Sequence, residues 1–351
     1  MSGRIIFLLL GFSLLLLSSL RPARETRKLP ERAKLTLSEY GFFQGDLADQ
    51  RPMAGVVPYE LNTPLFSDYA LKLRFVQLPA GTLATYREPE VLALPVGSVL
   101  IKTFYYPHDF RRPEKGRTLM ETRLLLHEAD GWHALPYVWN DEQTEAHLEV
   151  TGGTKDVRWV QPDGKKQRLA YSVPNINQCK GCHVKNQKML PIGPTARQLN
   201  RQYPYPDGEQ NQLEHWQEIG YLAGLLPAEE VPRLAVWNDP ASGSVAERAR
   251  AYLDINCAHC HRTDAPASTS GLLLDYYQRD ATALGIGKPP VAAGRGSGGH
   301  QHDVVPGQPH QSILWYRMSS DDPGVRMPEL GRQLVHAEGV ALIEEWIEGL
   351  P

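Results

Sequence analysis

The most constraining feature of the sequence is a pair of five-residue motifs that together contain every cysteine of the chain. The first is Cys179–His183, with the sequence CKGCH, and the second is Cys257–His261, with the sequence CAHCH. Both follow the pattern CxxCH, and Cys257 comes 74 positions after His183. Within one helical turn, positions i and i+3 share a face. Each motif therefore presents two thiols side by side, followed by an imidazole.

This arrangement suits covalent haem attachment. Two neighbouring thiols can form thioether bonds to the vinyl groups on one porphyrin edge, and the next histidine can bind the iron. The sequence thus predicts two covalently bound haem c groups as cofactors. The predicted attachment residues are Cys179, Cys182, Cys257 and Cys260, and the predicted axial ligands are His183 and His261.

Other uses of paired cysteines explain less of the pattern. A zinc site with four cysteine ligands, or two thioredoxin-like redox motifs, would leave both histidines unexplained. The separation of 74 residues also exceeds the usual ligand spacing of a zinc ribbon.

A c-type haem iron usually takes a second axial ligand, often a methionine thioether. For the second haem we expect Met327, which precedes Pro328 in a loop ahead of the last predicted helix. Met318 is the rival, but it falls in a segment that has the pattern of a packed element. The first haem has no such clear partner. Its candidate distal ligands are Met189, His215, Met53 and Met120, and an open position is the remaining alternative.

The N-terminus has the layout of an export signal. Arg4 precedes an apolar run from Ile5 to Leu20, and basic residues follow. We therefore expect a periplasmic or otherwise extracytoplasmic protein, either secreted through this signal or associated with the membrane by an uncleaved anchor. The net charge of −3 and the absence of a basic run give no reason to expect nucleic-acid binding.

The rest of the chain predicts an α+β multidomain fold, with an N-terminal β-rich, sandwich- or barrel-like module followed by two mainly α-helical cytochrome c-type haem regions. Short aliphatic and aromatic runs such as Ser98–Tyr106 and Trp132–Trp139 indicate strands. Helical spacing indicates helices at Gln210–Leu225, Ser244–Ile255 and Val335–Leu350. The predicted regions are 1–20 (signal or anchor), 21–58 (tether), 59–171 (β-rich module), 172–226 (first haem region), 227–243 (linker) and 244–351 (cytochrome c domain).

Residues 36–351 resemble a family of bacterial dihaem c-type cytochromes with no established substrate. The shared elements, besides the two CxxCH motifs, are Tyr59–Asp68, Glu121–Arg123, Tyr137–Asn140 and Pro191–Pro194. The segment 244–351 is similar to a class I cytochrome c domain, with Pro306–Pro309, Ser312 and Met327-Pro328 between the haem motif and a closing helix. The resemblance implies extracytoplasmic electron transfer.

Two functions are therefore in competition. The first is an electron carrier between redox protein partners. The second is a peroxidase-like haem enzyme, in which the first haem is catalytic and the second relays electrons. Arg197 and Arg201 offer charges that could pair with haem propionates, although a solvated basic face is the preferred interpretation of them.

Overall fold

An antiparallel sheet of six strands is the largest element of the computed structural model, which describes residues 29–351. Arg32–Pro351 form one compact unit. The sheet has the order β3-β4-β6-β7-β8-β9, and the remaining strands form two-stranded pairs. The strands are β1 (Phe43–Gln44), β2 (Arg51–Pro52), β3 (Val56–Pro58), β4 (Leu71–Gln77), β5 (Ala84–Thr85), β6 (Val99–Pro107), β7 (Arg117–Glu128), β8 (Gly131–Trp139), β9 (Ala146–Leu148), β10 (Gly153–Val160), β11 (Lys166–Val173), β12 (Val184–Lys185), β13 (Lys188–Met189), β14 (Gln202–Tyr205), β15 (Gly208–Asn211) and β16 (Leu222–Ala223).

The described residues form six α-helices, none longer than 12 residues. They are α1 (Ile176–His183), α2 (Ala196–Leu199), α3 (Gln212–Glu218), α4 (Val245–Asn256), α5 (Ile313–Met318) and α6 (Ala337–Glu348). None of these helices is long and apolar enough to cross a membrane. The predicted signal or anchor at residues 1–20 lies outside the described part of the chain.

The central sheet forms because apolar side chains alternate along its strands. In β6, Val99 and Ile101 point to one face and pack with Leu124 of β7. Leu100, between them, points to the opposite face and packs with Trp216 of α3. Both faces are therefore covered, and the sheet does not close into a barrel or pair with a second large sheet.

A separate hairpin extends from the sheet. Strands β10 and β11 pair around the turn at 161–165, where the Gly164 N–H donates to the Gln161 carbonyl and Gly164 has a φ of +85°. The Pro-Asp-Gly sequence predicts this hairpin, because glycine adopts the left-handed conformation without strain. Tyr171 of β11 is buried against Phe104 of β6, which anchors the hairpin to the sheet.

The last hundred residues pack around the contact between α4 and α6. Leu253 of α4 and Ile343 of α6 are fully buried in this cluster, together with Trp346. Helix α4 begins with a capping box, in which the Ser244 hydroxyl accepts from the Glu247 N–H. The residues between α4 and α5 are mostly irregular, as their glycine and proline content predicts.

The predicted fold class was wrong. The structure is mostly β-rich, and the two mainly α-helical cytochrome c-type regions are not present. The first haem motif lies on α1, which has only eight residues and is followed by the short pair β12–β13. The helix predicted at Gln210–Leu225 is reduced to α3, because Ile219 ends it and Gly220 follows with a φ of +71°.

Candidate functional site

The first CxxCH motif lies on α1, which begins directly after β11. The Asn175 side chain accepts from the Gln178 N–H, and the Gln178 side chain in turn accepts from the Asn175 N–H, which completes a capping box. This cap fixes the start of the helix at Ile176, three residues before Cys179. The helical turn then places Cys179, Cys182 and His183 on the wall of one cavity.

His183 is held through one ring nitrogen. Its Nδ1 lies 2.8 Å from the Leu190 carbonyl oxygen, so this nitrogen carries the proton and Nε2 remains as a possible metal ligand. Burial, followed by the positive charge of Lys102, lowers the pKa of His183 to about 4. A neutral imidazole with a fixed Nδ1–H is the form that binds a metal.

The second CxxCH motif begins where α4 ends. The Cys257 N–H still donates to the Leu253 carbonyl, and the N–H groups of Cys260 and His261 both donate back to Cys257. One further helical turn is thereby formed. The His261 Nδ1 lies 3.3 Å from the Ser270 hydroxyl.

The two motifs meet in space although they are far apart in sequence. The Cys260 thiol contacts the Gly181 carbonyl inside the first motif, with a sulfur–oxygen distance of 3.7 Å. The thiols of Cys182 and Cys260 also interact, which lowers the pKa of Cys182 and raises that of Cys260. Burial raises the pKa of the other two thiols, Cys179 and Cys257, the latter to about 12.

A cavity of about 490 Å³ lies between the motifs and the central sheet; we call it the motif cavity. Cys179, Cys182 and His183 line it from the first motif, and Cys257 and His259 line it from the second. Its volume is in the range of cofactor and ligand pockets. A smaller cavity of about 80 Å³ lies on the other side of Cys182 and His183.

Met327, the expected ligand of the second haem, also lines the motif cavity. Its carbonyl accepts from Nη2 of Arg332 at 2.8 Å, which fixes the loop. The rival Met318 lines the same cavity but is part of the buried C-terminal core. His261 is not among the described residues that line this cavity, so the structure does not bring His261 and Met327 together there.

The candidate ligands of the first haem all lie away from the motif cavity. Met120 is fully buried in the sheet, and Met53 is 43% exposed. Met189 packs against the core on the helix-covered face of the sheet. His215 stacks on Tyr205, with ring centroids 3.6 Å apart. None of the four is therefore placed to reach a group held in that cavity.

The two arginines considered for propionate binding have other partners. Arg197 is buried and forms ion pairs with Glu88 at 2.9 Å and Asp254 at 3.2 Å, so the preferred interpretation of a solvated face was wrong for it. Arg201 donates to the Leu61 carbonyl at 2.8 Å and pairs with Glu60.

Sequence reasoning missed several residues that line the motif cavity. His336 stacks on Phe66 at 4.1 Å and is hydrogen-bonded to the Tyr252 hydroxyl at 2.9 Å, and burial lowers the pKa of His336 to about 4. Three basic residues of the sheet, Arg74, Lys102 and Arg123, form another part of the wall. In the sequence, a charged residue in the middle of each apolar strand was the feature that could have identified these three residues.

One expectation needs correction. Within residues 29–351, no group of three or more His, Cys, Asp or Glu side chains could hold a metal ion. The structure also has few helices, so it does not show the features of a cytochrome c. The expectation of an iron-containing, metal-binding cytochrome c was therefore wrong.

Comparison with known proteins gives no family for this chain. No family model, no curated protein and no solved structure matches it.

Proposed function

We propose that this chain is an extracytoplasmic electron-transfer protein to which two haem groups are covalently attached. The observation that carries the proposal is the meeting of the two CxxCH motifs: Gly181 and Cys260, 79 positions apart in sequence, lie in contact, and both motifs line one cavity. Two CxxCH motifs without a shared function would not be expected to lie in contact in the folded chain.

The residues of the motif cavity fit one edge of a porphyrin. Cys179 and Cys182 are one helical turn apart and face the same space, as two thioether bonds require. His183 would supply the axial nitrogen, because its Nδ1 is already bonded to Leu190. Haem iron takes only its axial ligands from the protein, so a cluster of three protein ligands is not needed.

The second motif would hold the other group through Cys257 and Cys260, with His261 as axial ligand. A bound haem supplies an iron that can gain and lose one electron. The protein's own contribution is to fix the attachment points within contact distance of each other and to exclude water from them. Redox protein partners would supply and remove the electrons, and the N-terminal segment would direct the chain out of the cytoplasm.

A haem enzyme is the second candidate. It is favoured by the position of Met189, His215, Met53 and Met120, which all lie off the motif cavity. An iron bound by His183 that takes no second ligand from the cavity wall would keep a position open for a small molecule such as peroxide. Cyanide binding to the oxidised protein tests this alternative, since a carrier with two ligands on each iron would leave the spectrum unchanged.

The main test is the intact mass of protein matured in a host that attaches haem. The wild-type chain should carry two porphyrins, and the double variants C179S/C182S and C257S/C260S should each carry one. The matched control is Ser270→Ala, which changes a neighbour of His261 and keeps all four thiols. A wild-type chain without added porphyrin would contradict the proposal.

A further inference from the structure

Three basic residues stand directly opposite one another across neighbouring strands of the sheet. Arg74 of β4 is paired with Lys102 of β6, and Lys102 is paired with Arg123 of β7. We call these three residues the cation ladder. All three side chains line the motif cavity. Like charges directly opposite each other destabilise a sheet, so this arrangement needs a compensating partner.

Among the described residues, Arg123 is the only member of the cation ladder that pairs with a carboxylate. Arg123 forms a two-bond ion pair with Glu121, with distances of 2.9 and 2.5 Å, and Glu121 is fully buried. Within residues 29–351, the side chains of Arg74 and Lys102 make no hydrogen bond or ion pair. Lys102 lies over the ring of Phe104, 5.1 Å away, and is attracted by the carboxylate of Glu121, which already pairs with Arg123.

The side chains that line the whole cavity also carry more positive than negative charge. Its described lining includes five arginine or lysine side chains but only two carboxylates, those of Asp68 and Glu329. Asp68 is already occupied, because it accepts from the N–H groups of Gln333 and Leu334. Enclosed cations without anionic partners are costly, and an anion bound between them would remove that cost.

We propose that the cation ladder binds the two carboxylates of the porphyrin attached at Cys179 and Cys182. This inference rests on the proposed function and extends it to the sheet wall of the cavity: the thiols hold one porphyrin edge, and Arg74 and Lys102 hold its propionates. Both residues offer N–H donors to carboxylate oxygens, and such charge-assisted hydrogen bonds are stronger than neutral ones.

The test compares two porphyrin probes that differ in charge. The full chain, produced in a host that does not attach haem, is titrated with mesoporphyrin, which has two free carboxylates, and with its dimethyl ester, which has none. Quenching of tryptophan fluorescence reports binding. We expect the wild type to bind the diacid about tenfold more tightly than the ester, which corresponds to one net charge-assisted contact.

The double variant R74Q/K102Q should lose this preference and keep its affinity for the ester. Lys102→Arg should retain the preference, and Lys188→Gln, which changes an exposed lysine near the first motif, should behave as wild type. Thermal melts of each variant confirm that it is folded.

The proposal is overturned if the wild type binds diacid and ester equally, or if R74Q/K102Q still distinguishes them. These failures are separable from failure of the proposed function. If the chain matures with two porphyrins but shows no preference for the diacid, only the proposal about the cation ladder is refuted. If the chain prefers the diacid but never carries porphyrin, only the proposed covalent attachment is refuted.

Discussion

Replacement of Lys102 by Met should stabilise the chain when no porphyrin is attached. Methionine retains the unbranched apolar stem and removes the ammonium group, which stands opposite both Arg74 and Arg123. Lys102 is partly exposed only to the cavity that it lines. In the absence of a bound anion, its charge is therefore stabilised only by the Phe104 ring and by the Glu121 carboxylate, which already pairs with Arg123.

The magnitude follows from the titration of this lysine. Burial, then the charges of Arg123 and Arg74, lower the pKa of Lys102 from 10.5 to about 7. Between these two values the unfolded chain binds more protons than the folded chain, so the free energy of unfolding of the wild type rises with pH across that window. At pH 7 the lysine costs about 2–4 kcal/mol, after allowance for water in the cavity, and near pH 10.5 this cost disappears.

Urea denaturation of both proteins at pH 7 and pH 10, under reducing conditions, measures the difference. Lys102→Met should be the more stable protein at pH 7, and the difference should shrink at pH 10. Lys188→Met is the control, because this lysine is exposed. The reasoning would be refuted if Lys102→Met were less stable than the wild type at pH 7. It would also be refuted if the difference in the free energy of unfolding between the two proteins were the same at both pH values.

Three further predictions concern the fold around the site. Leu124→Ala, at a fully buried position of β7, should lower the free energy of unfolding by about 3 kcal/mol in urea titration, whereas Leu71→Ala, at a 37% exposed position, should cost far less. Asn175→Ala removes the cap of α1 and should cost about 1 kcal/mol, with Asn175→Asp restoring most of it; a neutral Asn175→Ala would contradict the role of the cap. His336→Phe should reduce the loss of stability between pH 7 and pH 5, because the lowered pKa of His336 means that the unfolded chain binds a proton before the folded chain does. The free energy of unfolding of the wild type should fall by about 2 kcal/mol more than that of the variant over this interval. Equal losses would argue against a neutral buried imidazole.

Local features of the fold could be predicted from sequence because their causes are local. The strand pattern at Ser98–Tyr106 matches β6, and the helix predicted at Ser244–Ile255 matches α4. The Pro-Asp-Gly turn at 162–164 likewise gives the expected hairpin. In each case a few neighbouring residues determine the backbone.

The failures have long-range causes. Met120 was a candidate ligand, but its position in the strand turns it into the core, which composition and spacing do not show. The two motifs were expected on separate helical domains, yet Cys260 contacts Gly181, a contact set by tertiary packing. The cation ladder depends on strand register, which places Arg74, Lys102 and Arg123 in one row only once the sheet is paired.

The central claim is most directly tested by peptide mapping of the matured protein with mass spectrometry. The account predicts that the peptide containing Cys179–His183 and the peptide containing Cys257–His261 each carry one porphyrin through thioether bonds. Recovery of both peptides with unmodified thiols, or with disulfides in place of porphyrin, would contradict it.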